Sequence, residues 1–109
     1  MALAIPCSAW AGSWSTCQTI TAVSNYIAYS STVYVILSPG IPVCNNDAPG
    51  AAMFRAGKMG VTDDSLKTLL ASATAAYLAG KRIQVFYDES APTCFSNVVS
   101  IGGNAGQCP

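Results

Sequence analysis

The chain is 109 residues long with no net formal charge, and only 9% of its residues are charged, where an ordinary soluble domain carries about a quarter. This length sets one domain, residues 1–109, with a modest core; the scattered cations, Lys81 beside Arg82 and Arg55 near Lys58, fall short of a nucleic-acid surface, and no run reaches the ~18 apolar residues of a membrane span. Much of the 51% hydrophobic content is alanine, leaving a neutral Ser, Thr, Asn, Gln and Gly surface that suits oligomers, fibres or neutral ligands such as sugars.

Met1-Ala2-Leu3-Ala4-Ile5-Pro6 is too short for a signal peptide and lacks its positive start, so an exported protein has its leader outside this sequence. Residues 1–13 read as irregular, broken by Pro6 and Gly12. Residues 14–23 are rich in strand formers and predict a first strand; residues 25–31 continue it or turn. Thr32-Val33-Tyr34-Val35-Ile36-Leu37 is the clearest strand, its near-continuous apolar run implying cover on both faces. Ser38-Pro39-Gly40 is turn chemistry. Ile41-Pro42-Val43-Cys44 reads as a short third strand, at an edge or irregular because Pro42 has no backbone donor. Residues 45–60 read as the longest loop, with Met53 and Phe54 tucked beneath it.

Thr62 is placed as a helix N-cap, with Asp63 and Asp64 in the first turn where carboxylates complement the helix dipole. Leu66, Leu69, Leu70, Ala73, Ala76 and Tyr77 follow the spacing of one buried face. Gly80 is placed to end the helix, followed by Lys81 and Arg82. The opposite face, Thr68, Ser72 and Ala75, is nearly uncharged; packing on another subunit and plain helix propensity both account for it. Residues 82–87 and 95–101 predict the last two strands, separated by a turn at 88–92. The order is three strands, one helix, two strands, with strand connections too short for parallel crossovers. The fold class is therefore α+β, a small five-stranded antiparallel OB-like barrel or sheet with one helix between the third and fourth strands.

There is no histidine, so the usual Ser and Cys triads lack their base. None of the five cysteines, Cys7, Cys17, Cys44, Cys94 and Cys108, forms a C-x-x-C pair, which speaks against structural zinc. No metal or cofactor is expected. Wide cysteine spacing in a small Ser/Thr-rich domain reads as disulfides formed in an oxidising compartment, secreted, extracellular or periplasmic. Cys44 is expected to pair with Cys94, since each follows a Pro-containing turn and sits beside a strand. Two of Cys7, Cys17 and Cys108 remain to pair, read as Cys7 with Cys17, leaving one thiol either buried or bridging two subunits.

Asp63 and Asp64 are explained by capping, and Asp88 and Glu89 either solvate a turn or hydrogen-bond a sugar. A glycosidase needs two acids across a cleft, and no phosphate-binding loop is present; no enzyme is expected. Trp10 and Trp14 lie in a polar, Gly-containing segment, where they either plug the end of a barrel or present faces for sugar stacking. Tyr26, Tyr29, Tyr34 and Tyr87 are open to roles in the core, in a subunit interface or in ligand contact.

The run Leu66-Lys67-Thr68-Leu69-Leu70 through Tyr77-Leu78-Ala79-Gly80-Lys81-Arg82-Ile83-Gln84-Val85-Phe86-Tyr87, with the strand-turn-strand around Val35 to Cys44, resembles the pentameric B subunits of subtilase cytotoxin and the typhoid toxin. The resemblance implies an OB fold, assembly into a ring of five, and recognition of sialylated or other cell-surface glycans. A Ser early in the first-strand region contacts the sugar in that family, and Ser15 after Trp14 is the nearest match. The second strand lacks the cysteine those subunits place there, and Thr93-Cys94-Phe95 replaces their aromatic residues. The expected glycan contacts are Trp14, Ser15, Tyr87 and Asp88. Two functions follow: a secreted, non-catalytic, oligomeric subunit that binds glycans, or a self-assembling extracellular structural subunit of a fibre or surface layer. Nucleic acid and membrane insertion are not expected.

Overall fold

The apolar run at 32–37 becomes the central strand of one of two sheets. The computed structural model describes residues 12–44, 50–88 and 94–108. Its elements in chain order are β1 (Gly12–Trp14), β2 (Thr19–Tyr26), α1 (Ile27–Ser30), β3 (Thr32–Ser38), β4 (Ala52–Arg55), α2 (Asp63–Ala79), β5 (Ile83–Asp88), β6 (Ser96–Ile101) and a single 3-10 turn at Asn104–Gly106. The strands form two antiparallel three-stranded sheets, ordered β1-β5-β6 and β2-β3-β4. Single bridges link them at two seams, Gln18 with Ile83 and Met53 with Phe95. The expected five-stranded barrel is thus corrected to six described strands in two sheets.

Two differences separate the observed strands from the expected ones, and the first of them raises the count. The predicted first strand is split: β1 pairs with β5 and β2 with β3, and residues 15–18 carry the chain from one sheet to the other while the Ser15 and Gln18 N–H groups still donate to Val85 and Ile83 carbonyls at 2.8 Å. The expected third strand at 41–44 is a turn, in which the Cys44 N–H donates to the Ile41 carbonyl at 3.0 Å; Pro42 removes the donor a strand would need. The strand beside β3 comes instead from the segment read as loop. In β4, Val33 opposes Phe54 and Tyr34 opposes Met53, and both β4 side chains are buried.

Helix α2 begins as its sequence dictates. Thr62 Oγ1 accepts the Ser65 N–H at 3.1 Å, and Ser65 Oγ accepts the Thr62 N–H at 2.8 Å, which satisfies two donors the first turn leaves open. It ends at Gly80, whose φ of 66° is the left-handed conformation of a helix stop. The helix lies against β2 and β6, burying Leu66, Ala73 and Ala76 fully and Leu69 and Leu70 in part. They join Ile20, Val33, Val35, Leu37, Ile41, Phe54, Val61, Ile83 and Val85 in one core. Burying a leucine such as Leu66 stabilises by about 1.5–3 kcal/mol. Tyr77, expected on the same face, is 44% exposed although the neighbouring Ala76 is buried, so the buried stripe ends on Ala76. No helix among the described residues is long and apolar enough to cross a membrane.

Cys44 is bonded to Cys94, and Cys17 to Cys108. The expectation of Cys7 with Cys17 is corrected, and Cys108 is not a leftover thiol; Cys7 itself lies outside the described residues. The reason is where the C-terminal tail goes. The Gly102 N–H donates to the Arg82 carbonyl at 2.8 Å, and the Asn104 N–H donates to Gln84 Oε1 at 2.7 Å. The tail therefore lies over the start of β5, beside the 15–18 crossover that Gln84 Nε2 also reaches through the Ser15 carbonyl at 2.8 Å.

Candidate functional site

The expected glycan contacts fall on two faces of the β1-β5-β6 sheet. Trp14 stands opposite Phe86 and Gly12 opposite Asp88. Strand alternation puts Trp14, Phe86 and Asp88 on one face. The Trp14 and Phe86 rings meet edge to face, 5.5 Å between centroids, and Trp14 is 39% exposed. Gly12 makes room for this: a Cβ there would lie 2.6 Å from two atoms of the Phe86 ring. Ser15 and Tyr87 are elsewhere. Ser15 is 5% exposed, and its Oγ accepts the Val85 N–H at 3.0 Å while donating to the Thr16 carbonyl at 2.8 Å. That hydroxyl is spent inside the fold. Tyr87 packs against the core from the other face. Trp10 and Glu89 lie outside the described residues.

A more concave site lies on the outer face of the other sheet. Val33, Val35 and Leu37 turn inward and are buried, so Tyr34 and Ile36 turn outward. The β2–β3 register sets Ser24 opposite Tyr34 and Tyr26 opposite Thr32, which brings both β2 side chains to that face. The short α1 turn, opened by the Ile27 N–H donating to Asn25 Oδ1 at 2.9 Å, adds Tyr29 and Ser30. Together with Arg55 from β4 these residues line a cleft of about 450 Å³. The Tyr26 and Tyr34 rings meet edge to face at 5.7 Å, and Tyr29 is 90% exposed.

Arg55 is fixed at the end of this cleft. Its Nε donates to Thr32 Oγ1 at 2.8 Å, and the buried Thr32 hydroxyl donates in turn to the Ser30 carbonyl at 2.9 Å. The guanidinium carbon lies 5.7 Å from the centre of the Phe95 ring, with Lys58 Nζ 5.3 Å from the same ring. The cleft thus offers aromatic faces, short hydroxyls and one permanent cation. Among the described residues no group of three His, Cys, Asp or Glu is placed to hold a metal ion. From the sequence Tyr26, Tyr29 and Tyr34 were open between core, interface and ligand, and nothing marked Ser24, Ser30 or Arg55. Strand register and the α1 turn together bring these residues to one cleft.

Two small antiparallel sheets joined at their seams, with one helix laid across them, make a small α+β domain of the OB-like kind. Among solved structures the chain is similar to human heat-labile enterotoxin, crystallised in complex with a blood group A antigen analog: the TM-score is 0.59 over 84% of this chain and 85% of that one, at 8% sequence identity. At that identity the likeness establishes the fold alone. No protein-family model and no curated protein sequence matches the chain.

Proposed function

We propose that this chain is a secreted, non-catalytic subunit that binds cell-surface glycans and works as an oligomer, in the manner of a toxin B subunit. The observation that carries the reading is the tyrosine cleft on the outer face of the β2-β3-β4 sheet. Tyrosine rings present apolar faces to the C–H face of a pyranose, while Ser24, Ser30 and the tyrosine hydroxyls exchange hydrogen bonds with its hydroxyls. The similar enterotoxin was crystallised with a saccharide antigen analog, which agrees with the reading, and two disulfides suit an oxidising compartment outside the cytoplasm. Trp14, Phe86 and Asp88 form a second, flatter contact of the same chemistry. In this reading the subunit is of the subtilase cytotoxin and typhoid toxin kind.

A glycan array followed by calorimetry tests it. Wild type is expected to bind at least one glycan class, and Tyr34→Ala to weaken that binding tenfold or more with an unchanged far-UV circular dichroism spectrum. An array without hits at millimolar glycan refutes the reading. Self-association is favoured by the exposed side of α2, where Leu78 is 77% exposed and Ala71 and Ala75 add no charge. Light scattering separates a closed ring, whose mass stays fixed, from the alternative of a structural fibre, whose mass grows with concentration.

A further inference from the structure

We infer that the Cys17–Cys108 bridge is a reducible latch: a dithiol opens it while Cys44–Cys94 stays closed, and the opened bond frees the C-terminal tail beyond Gly102 with the core still folded. The two bridges differ in where their sulfurs sit. Cys44 and Cys94 are 2% and 0% exposed and belong to the core with Ile41, Phe54 and Val61. Cys108 is 3% exposed, but Cys17 is half-buried on the crossover between the sheets, and neither belongs to that core. Thiol–disulfide exchange needs a thiolate to reach a sulfur. Solvent gives access to Cys17, whereas Cys44–Cys94 has first to be uncovered by opening the core, the costliest opening a domain undergoes.

What the latch holds is otherwise lightly docked. Asn104, Ala105, Gly106 and Gln107 are exposed. Past Gly102 the tail bonds largely to itself: the Gly106 N–H donates to the Gly103 carbonyl at 3.1 Å, and the Cys108 N–H to the Gly102 carbonyl at 2.7 Å. The Asn104 N–H reaches the body, donating to Gln84 Oε1 at 2.7 Å. Gly103 lets the tail curl, since its φ is 85° and a Cβ there would lie 2.7 Å from Cys108 Sγ. Such a curl buries little apolar surface, so the covalent bond is what keeps it at the seam of the sheets. In the exchange a dithiol thiolate attacks Cys17 Sγ, the Cys17–Cys108 bond breaks and Cys108 leaves as a thiolate. The reagent's second thiolate then displaces Cys17 from the mixed disulfide. The dithiol ends as its own disulfide, having given two electrons to the bridge, and its two protons end on the protein sulfurs. An oxidising compartment keeps the latch closed and a reducing one opens it. The tyrosine cleft contains neither cysteine, so the inference does not depend on what binds there.

The test is a time course of the oxidised protein with dithiothreitol in native buffer, sampled by alkylation and peptide mass mapping. Amide hydrogen exchange is then measured on the species in which one bridge is open. Cys17 and Cys108 are expected to take the label together, on the order of 100-fold faster than Cys44 and Cys94. Peptides covering 103–108 are expected to lose amide protection in that species, while those covering Val33 and Val35 keep it. Cys17→Ser combined with Cys108→Ser is expected to show the same exchange pattern with no dithiol added. Opening of both bridges at one rate, or of Cys44–Cys94 first, overturns the inference. A tail that stays protected with its bridge open also overturns it, because other contacts then hold the tail. Loss of protection at Val33 and Val35 together with the tail does the same, because the bridge then holds the whole fold.

Discussion

Gln18 joins the two sheets, and replacing it with methionine measures that joint. The residue is 1% exposed. Its backbone pairs with Ile83 in both directions, at 2.8 and 2.9 Å. Its side chain donates through Nε2 to Thr16 Oγ1 at 2.9 Å and to the Gly40 carbonyl at 3.3 Å, and Oε1 accepts the Gly40 N–H at 2.8 Å. Methionine keeps the length and the backbone bridge, and it strands the buried Gly40 amide. An unpartnered buried N–H or carbonyl costs about 1–3 kcal/mol. The short N–H bond lies at the upper end and the long carbonyl bond at the lower, for a combined loss of about 4 kcal/mol. With a urea m-value of about 2 kcal/mol/M, the midpoint falls by roughly 2 M. The assay is urea unfolding followed by far-UV circular dichroism with both disulfides intact. A stability within about 0.5 kcal/mol of wild type, at unchanged m, would refute the account of how the sheets are tied.

Peptide mapping under non-reducing conditions is expected to yield the links Cys17–Cys108 and Cys44–Cys94; a Cys7–Cys17 peptide would contradict the tail docking. The bridges close loops of 91 and 50 residues, each worth roughly 4–5 kcal/mol alone by chain entropy. Because one loop lies inside the other, removing Cys17 and Cys108 together as serines leaves an effective loop of about 40 residues unclosed and costs about 4 kcal/mol in urea unfolding. Gly12→Ala pushes a methyl into the Phe86 ring and the Tyr87 carbonyl, 2.6 and 2.8 Å away; the expected result is a loss of about 1–3 kcal/mol with a changed near-UV spectrum from Trp14, and an unaltered spectrum would contradict the packing. Thr62→Ala removes the N-cap of α2 and is expected to cost about 1 kcal/mol, read as a lowered midpoint at unchanged m.

What could be read from the chain alone was what neighbouring residues decide between them. The start of α2 at Thr62, its stop at Gly80 and the buried Leu66–Ala73–Ala76 stripe are local matters of capping and periodicity, and they stand as read. The strands around Val33, Val35 and Val85 are likewise set by short-range apolar patterning. The third strand was not local. Residues 41–44 and 52–55 carry similar apolar content, and β4 is a strand because β3 offers its backbone to one of them and Pro42 bars the other. The cysteine partners depend on how the ends of the chain meet: Cys17 and Cys108 are 91 residues apart and become neighbours only once the tail lies along the start of β5. The candidate site divides in the same way. Sequence showed that tyrosines cluster near 26–34, and it placed Ser15 beside Trp14 without showing that its hydroxyl would be consumed by the Val85 N–H. Which tyrosines share a face, and that Arg55 stands among them, was decided by strand register, since side chains alternate and pairing fixes which of them turn outward together.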